Sequence, residues 1–485
     1  MPLKDKFLFQ RITEATNNLS LFSRAVYALQ LIVALLYGLR LHHEMGTDFG
    51  IYYVGANSFN SNYGLYSDFF DHKGPLFYLF LKFIAQFLPF SSWGASVSLF
   101  FTACIWFISI NLGIRMLKLS PLTQTIGGLC AIASLVSQPS NSSIAIFAGS
   151  FAFLTFASAA KYVETNMIRW NMLAQVFAAG YTLVRIDGIV LWGMCLILLF
   201  WVSHKQIKAI TISLIFSLTL AILPLYIMSK ILFFSLDLYY KNAILFNLTT
   251  YKDWVNPQGF ISIFKLTPGN TAILLSSGIL FVFTVRMILS WNKLESHKKY
   301  SIIFTILTSI PVYIFMHSDK NYHLFILYPA LIFSIILFDN FDRGEILSIF
   351  SVLIVPTLLI IYTLSQESKC VFTDSCHTAE TIFHESTQQL QSKDIYAYGQ
   401  GWPFILTKQK PEYSFNPYFP LLFDLGEETK KALEDSKHFE NESRILLDLS
   451  LPQENPRVIS FLNGRKLVAT IHLQNSDVGI YAIVK

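Results

Sequence analysis

Long apolar runs alternate with short polar connections through the first three quarters of the chain. A run of about 20 apolar residues crosses a bilayer as a helix, and stretches of roughly that kind fall at 24–41, 95–117, 121–138, 143–161, 171–187, 188–203, 208–228, 271–290, 300–316, 324–339 and 345–364. The pattern therefore predicts eleven crossings. The apolar segment 75–90 is shorter and bracketed by Pro75 and Pro89, which predicts a re-entrant or interfacial helix rather than a further span. From about residue 365 charges rise, Pro and Gly appear, and no run is long enough to cross. There the short stretches DIYAYGQ, RILLDLS, RVISFL, LVATIHL and GIYAIVK predict strands, while TAETIFHESTQQLQS and EETKKALEDSKHFENESR predict helices. The expected architecture is an α-helical polytopic membrane unit over 1–364, followed by a small soluble α/β unit over 365–485.

Composition agrees with that reading. Of the 485 residues 53% are hydrophobic and only 14% charged, against about 25% charged in soluble domains. The mean hydropathy is +0.48. Most of the 44 Phe and 23 Tyr suit lipid-facing surfaces and interfacial belts. The net charge of +5 is modest and gives no reason to expect a nucleic-acid partner. The N-terminal segment is polar for too long to resemble a cleaved signal, so the first helix is expected to stay as an anchor. Lys and Arg concentrate in alternate connections, which places the N-terminus in the cytoplasm and the loop 42–94, the loop 229–270 and the C-terminal unit outside it. Cys104, Cys130 and Cys195 fall in apolar spans as small hydrophobes. Cys370 and Cys376 lie in the polar region, where an extracytoplasmic setting would permit pairing.

The polar heart of the membrane unit is DFGIYYVGANSFNSNYGLYSDFFDHKGPLFY, from Asp48 to Tyr78. Ionisable groups beside hydrocarbon are costly, so such an island is a candidate site. Asp48 can serve as a general base towards an acceptor hydroxyl or amine, or can cap the helix that follows. Lys73, beside a Gly-Pro turn, suits a phosphate or, alternatively, lipid headgroups. Asp68, Asp71 and His72 are close in sequence but need not converge. Arg185 and Asp187, in LVRIDGIV, either pair locally or offer the arginine to a phosphate. Further polar groups expected on the same side are Lys241, Asn247 and Lys252, and His317, Lys320, Tyr322 and His323 in HSDKNYH. No GxxxxGK[ST], strand-linked GxGxxG, HExxH or CxxC is present. Nucleotide-driven pumping, a nucleotide-sugar site and a zinc hydrolase thus lack their motifs, and an enzyme acting outside would draw its activated donor from the membrane.

The order of a first helix, an acidic position within DFGIYYVGA, and then YSDFFDHKGPLFYLF resembles the first outer loop of C-type (GT-C) glycosyltransferases that use polyprenyl-phosphate sugars. It looks like the bacterial branch related to protein mannosyltransferases and aminoarabinose transferases. The matching pattern is Y-x-D-F-x-x-x-K-x-P-L-x-Y, with Gly74 standing where many relatives have a second Pro. LVRIDGIVL and NYHLFILYPAL are similar to a later outer turn and a late helix start. The resemblance implies Asp48 as the base or the carboxylate that orients the acceptor, Lys73 as a ligand of the lipid phosphate, and Arg185 as a second one. Asp68 and Asp71 match the family's acidic positions only loosely, and with His72, Tyr322 and His323 they are further substrate-binding candidates on the same outer side. The resemblance leaves the metal open: the site residues expected here include no metal ligand, whereas some C-type enzymes gather such acids around a divalent cation.

The expected function is transfer of a sugar from a polyprenyl monophosphate or diphosphate carrier to an acceptor on the outer face, with inversion. Expected partners are that donor, membrane lipids, and a protein, lipid or polysaccharide acceptor. Two alternatives remain: a lipid-linked-sugar flippase or other transporter, which predicts charges within the spans, and an O-antigen polymerase or ligase, which predicts arginine-rich outer loops.

Overall fold

The computed structural model describes residues 24–39, 47–67, 69, 71, 73–136, 142–204, 206–248, 290–316 and 327–338, with strands at 396–398, 444–448, 465–473 and 476–483. The helices are α1 (Arg24–Leu39), α2 (Thr47–Ser58), α3 (Pro75–Ala85), α4 (Ser92–Met116), α5 (Pro121–Val136), α6 (Ser143–Thr165), α7 (Ile168–Val184), α8 (Gly188–Ser203), α9 (Ile207–Ile231), the short α10 (Leu236–Tyr239), α11 (Ser296–Met316) and α12 (Leu327–Leu337). A π-helical turn, Tyr240–Leu245, carries α10 onward to Phe246–Leu248. The expected spans at 271–290 and 345–364 lie outside the described residues, as do most of the predicted C-terminal helices, Cys370 and Cys376.

Local signals set the helix ends. Pro75 opens α3 at a position whose N–H would have no intrahelical partner anyway. Ser91 caps α4 by accepting from the Gly94 N–H at 3.3 Å. α6 ends on Asn166 in the left-handed region, φ 51°. Among the described residues three helices, α4, α6 and α9, are long and apolar enough to cross a membrane. The chain is a membrane protein, as its composition requires.

α6 forms the middle of the bundle, buried over most of its length and flanked by α4, α7, α11 and α12. Several polar side chains inside the bundle bond across helices. Asn111 donates to the Gln30 Oε1 at 2.8 Å, and the Trp106 indole N–H reaches the Ala131 carbonyl at 3.1 Å. α9 presents Ile212, Ile215, Leu218, Ile222 and Leu223 outwards, as a lipid-facing helix does.

Two helices lie between α1 and α4. α3 falls within the apolar segment 75–90, expected to be a re-entrant or interfacial helix, and stops short of Pro89. α2 is the helix that follows Asp48, and Phe49–Ala56 is buried all round. Its apolar residues show no single face because α2 is covered by α3 and the following loop rather than half-exposed. Beyond the helices, the described strands β1 (Tyr396–Tyr398), β2 (Arg444–Asp448), β3 (Arg465–Leu473) and β4 (Ser476–Ile483) form one sheet of order β1-β2-β4-β3. β1 pairs with β2 in parallel, the other pairs are antiparallel, and a bulge interrupts β3 between Leu467 and Ala469.

Candidate active site

Asp48 lies in the first turn of α2, half-buried, where the N-terminal end of the helix dipole favours a carboxylate. One turn further, on the same face, Tyr52 packs edge-on against Phe77 and Tyr78 of α3, with ring centroids 5.6 and 5.8 Å apart. Aromatic contacts continue from Tyr78 to Phe59 and Phe69, so α2, α3 and the loop between them share one apolar seam.

The loop itself is organised around Asp71, which is fully buried. Its carboxylate accepts from the Tyr78 hydroxyl and, at 3.3 Å, from the Lys73 backbone N–H. A buried carboxylate without such donors would cost several kcal/mol, on the order of the penalties known for unpaired buried charge. Lys73 is held a second time, because its carbonyl accepts from the Tyr66 hydroxyl at 2.6 Å. Lys73 is half-buried.

The adjacent residue ties this loop to the far side of the bundle. The Gly74 N–H donates to the Val184 carbonyl at 3.0 Å. A Cβ at residue 74 would sit 2.2 Å from the Leu183 oxygen, so only glycine permits this approach. The same bond explains the departure from the family's second Pro: φ of −73° suits proline, but proline has no N–H to give. Lys73 precedes Gly74 and Arg185 follows Val184, so this one contact sets the two cationic residues side by side along the backbone.

Arg185 and Asp187 are both buried, 5% and 2% exposed, and pair Nε to Oδ1 at 3.3 Å in the turn between α7 and α8. The Tyr181 hydroxyl donates to the other oxygen of Asp187 at 3.4 Å. Of the two readings of this turn, the local ion pair is thus present, and it leaves the arginine next to the Lys73 turn.

The segment after α9 closes the site. The Leu65 N–H reaches the Leu232 carbonyl at 3.0 Å, and Gly64 approaches so closely that a Cβ would lie 2.1 Å from the Phe233 oxygen. Asn242 Nδ2 donates to the Tyr66 carbonyl at 2.8 Å. Lys241 instead forms an exposed pair with Asp237 at 2.9 Å, and Asn247 bonds back to the Ala243 carbonyl at 2.7 Å.

The structure therefore joins the stretches that carry Lys73 and Arg185 through the main chain and holds Asp71 against the Lys73 backbone, while Asp48 lies in the first turn of α2, which packs on α3. Asp68, His72, Lys252, His317, Lys320, Tyr322 and His323 lie outside the described residues. Among the described residues no three His, Cys, Asp or Glu gather as a metal-holding group. Tyr66, Tyr78 and Asn242 were not singled out from the sequence. Tyr66 and Tyr78 are the two tyrosines of the Y-x-D-F-x-x-x-K-x-P-L-x-Y pattern, and that spacing was the available signal.

This architecture, with the short helices α2 and α3 between α1 and α4, is the GT-C fold of membrane proteins. It matches ArnT from Cupriavidus metallidurans bound to undecaprenyl phosphate with a TM-score of 0.62, over 96% of this chain and 98% of that one, at 12% identity. Against the same protein in the apo state the TM-score is 0.56, at 11% identity and the same coverage. At such identities the likeness is one of fold. No protein-family model matches the sequence, and no curated protein matches it by sequence comparison.

Proposed function

We propose that the chain is a membrane glycosyltransferase that moves a sugar from a polyprenyl-phosphate carrier to an acceptor on the outer face, with its N-terminus in the cytoplasm. The observation that carries this reading is the Gly74–Val184 hydrogen bond, which joins the stretches that carry Lys73 and Arg185. The ArnT structure of the same fold holds undecaprenyl phosphate, which supports a lipid-phosphate donor here.

In the proposed reaction the acceptor hydroxyl or amine attacks the anomeric carbon from the face opposite the phosphate. The new bond to the acceptor forms as the bond from the anomeric carbon to the phosphate oxygen breaks, and the acceptor proton passes to Asp48. The leaving polyprenyl phosphate keeps the bonding electron pair, and its charge is met by Lys73 and Arg185, most strongly in the oxocarbenium-like transition state. The configuration inverts because there is one displacement.

Incubating the purified, reconstituted protein with a panel of polyprenyl-phosphate sugars and candidate acceptors tests the reading. Release of free polyprenyl phosphate with a new glycosidic product is expected. Translocation of the intact lipid-linked sugar without bond exchange would replace the enzyme by a transporter. With the productive pair in hand, Asp48→Asn should lower turnover by about 10²–10⁴-fold with the fold retained, and near-normal turnover would remove Asp48 as the base.

A further inference from the structure

We propose that Tyr66 is a positioning residue for Lys73, and that Asn242 ties it to the helical segment following α9. This deepens the functional reading above and rests on it, since it assigns Tyr66 a role only through the phosphate ligand.

Every polar group of Tyr66 is engaged. Its N–H donates to the Phe69 carbonyl at 2.7 Å, its carbonyl accepts from Asn242 Nδ2 at 2.8 Å, and its hydroxyl donates to the Lys73 carbonyl at 2.6 Å. Its ring, 2% exposed, lies between Phe234 at 5.2 Å and Tyr239 at 5.7 Å. The backbone of Tyr66 is left-handed, φ 68°, a conformation costing about 1–2 kcal/mol for a residue with a Cβ. Such strain persists where surrounding contacts over-determine it, and here they converge on the carbonyl of the phosphate-binding residue.

The π-helical turn supplies the reason Asn242 reaches inward. Asp237 and Lys241 pair on the exposed side, and the wider turn that begins at Tyr240 places Asn242 on the Tyr66 backbone. Burial first, and then the nearby Tyr239 and Asp71, raise the Tyr66 phenol well above its ordinary value, so it remains a protonated donor at any pH of use. Lys73 is thereby fixed from three sides: by the Asp71 carboxylate at its N–H, by Tyr66 at its carbonyl, and by the Gly74–Val184 bond just beyond.

The test titrates undecaprenyl phosphate into the purified full-length protein and follows binding. Tyr66→Phe keeps the ring and removes one hydrogen bond, and is expected to weaken binding about threefold to tenfold. Lys73→Met is expected to weaken it about ten- to hundredfold. In the Lys73→Met background Tyr66→Phe should have no further effect, because it acts through that residue. Asn242→Ala, which spares the loop's own contacts, should weaken binding in the same direction by less. In turnover, Tyr66→Phe should lower kcat as well as raise KM for the donor, because Lys73 meets the leaving phosphate's charge most strongly in the transition state. Unchanged binding in Tyr66→Phe while Lys73→Met is impaired overturns the positioning role alone, as does an undiminished Tyr66→Phe effect in the Lys73→Met background. Unchanged binding in Lys73→Met overturns the functional reading and the positioning role with it.

Discussion

The two ends of α7 handle charge in opposite ways. At its start, around Asn166, the ionisable groups stay local: in the last turn of α6 Lys161, whose side chain is 11% exposed, pairs with Glu164, 40% exposed, at 2.7 Å. The cross-helix contacts there are neutral, Tyr162 with the Ser203 hydroxyl at 2.5 Å and Ser203 with Asn166 at 3.4 Å. At its other end Arg185 and Asp187 are almost fully buried, and the adjacent backbone holds a loop from far upstream. Burying an ion pair gains little stability over packing apolar groups in the same volume. A chain that keeps one beside a second cation is organised there for something other than stability, whereas the Asn166 end needs no more than a well-capped turn.

Removing one partner of each pair should break this contrast most visibly. Arg185→Met leaves Asp187 buried without its arginine and is expected to cost about 3–5 kcal/mol, whereas Lys161→Met leaves the partly exposed Glu164 in reach of water and should cost about 1–2 kcal/mol. Thermal unfolding in detergent checks both, and equal shifts would erase the distinction. Next in size, Gly74→Ala should cost about 1–3 kcal/mol as its methyl meets the Leu183 carbonyl. It should also weaken donor binding, so normal binding would show that the Gly74–Val184 contact does not set the site. Tyr78→Phe takes a donor from the buried Asp71 and should cost about 1–3 kcal/mol. Its counterpart Tyr162→Phe should cost about 0.5–1.5 kcal/mol with donor binding untouched. A binding loss in Tyr162→Phe would extend the site to the wrong end of the helix.

Hydropathy alone located most of the described helices. The expected 188–203 coincides with α8, and 121–138 and 143–161 differ from α5 and α6 by a few residues at one end. These boundaries were legible because Pro121, Asn166 and the polar turns interrupt long apolar runs. α2 was harder to read, since a short helix buried on all sides has neither the length of a span nor one apolar face. The extension of α9 to Ile231 and the helical stretch behind it were expected as loop, because Asp237, Lys241 and Asn242 give that tract a polar texture.

Within the site, the acids and cations were legible as residue types and their partners were not. Asp71, Lys73 and Arg185 could be named from the sequence, but the bonds that join them run through main-chain atoms of Lys73, Gly74 and Val184. Main-chain contacts leave almost no mark on residue choice except where a side chain would collide, as at Gly74. The tyrosines that orient the loop look, in sequence, like the many other tyrosines of an interfacial belt.

The most direct test sets the two ends of α7 against each other in one binding measurement. Undecaprenyl phosphate is titrated into Lys73→Met and Lys161→Met under identical conditions, each protein first shown to be folded. The account predicts affinity lowered about ten- to hundredfold in Lys73→Met and unchanged in Lys161→Met. Equal affinity in the two variants would contradict it.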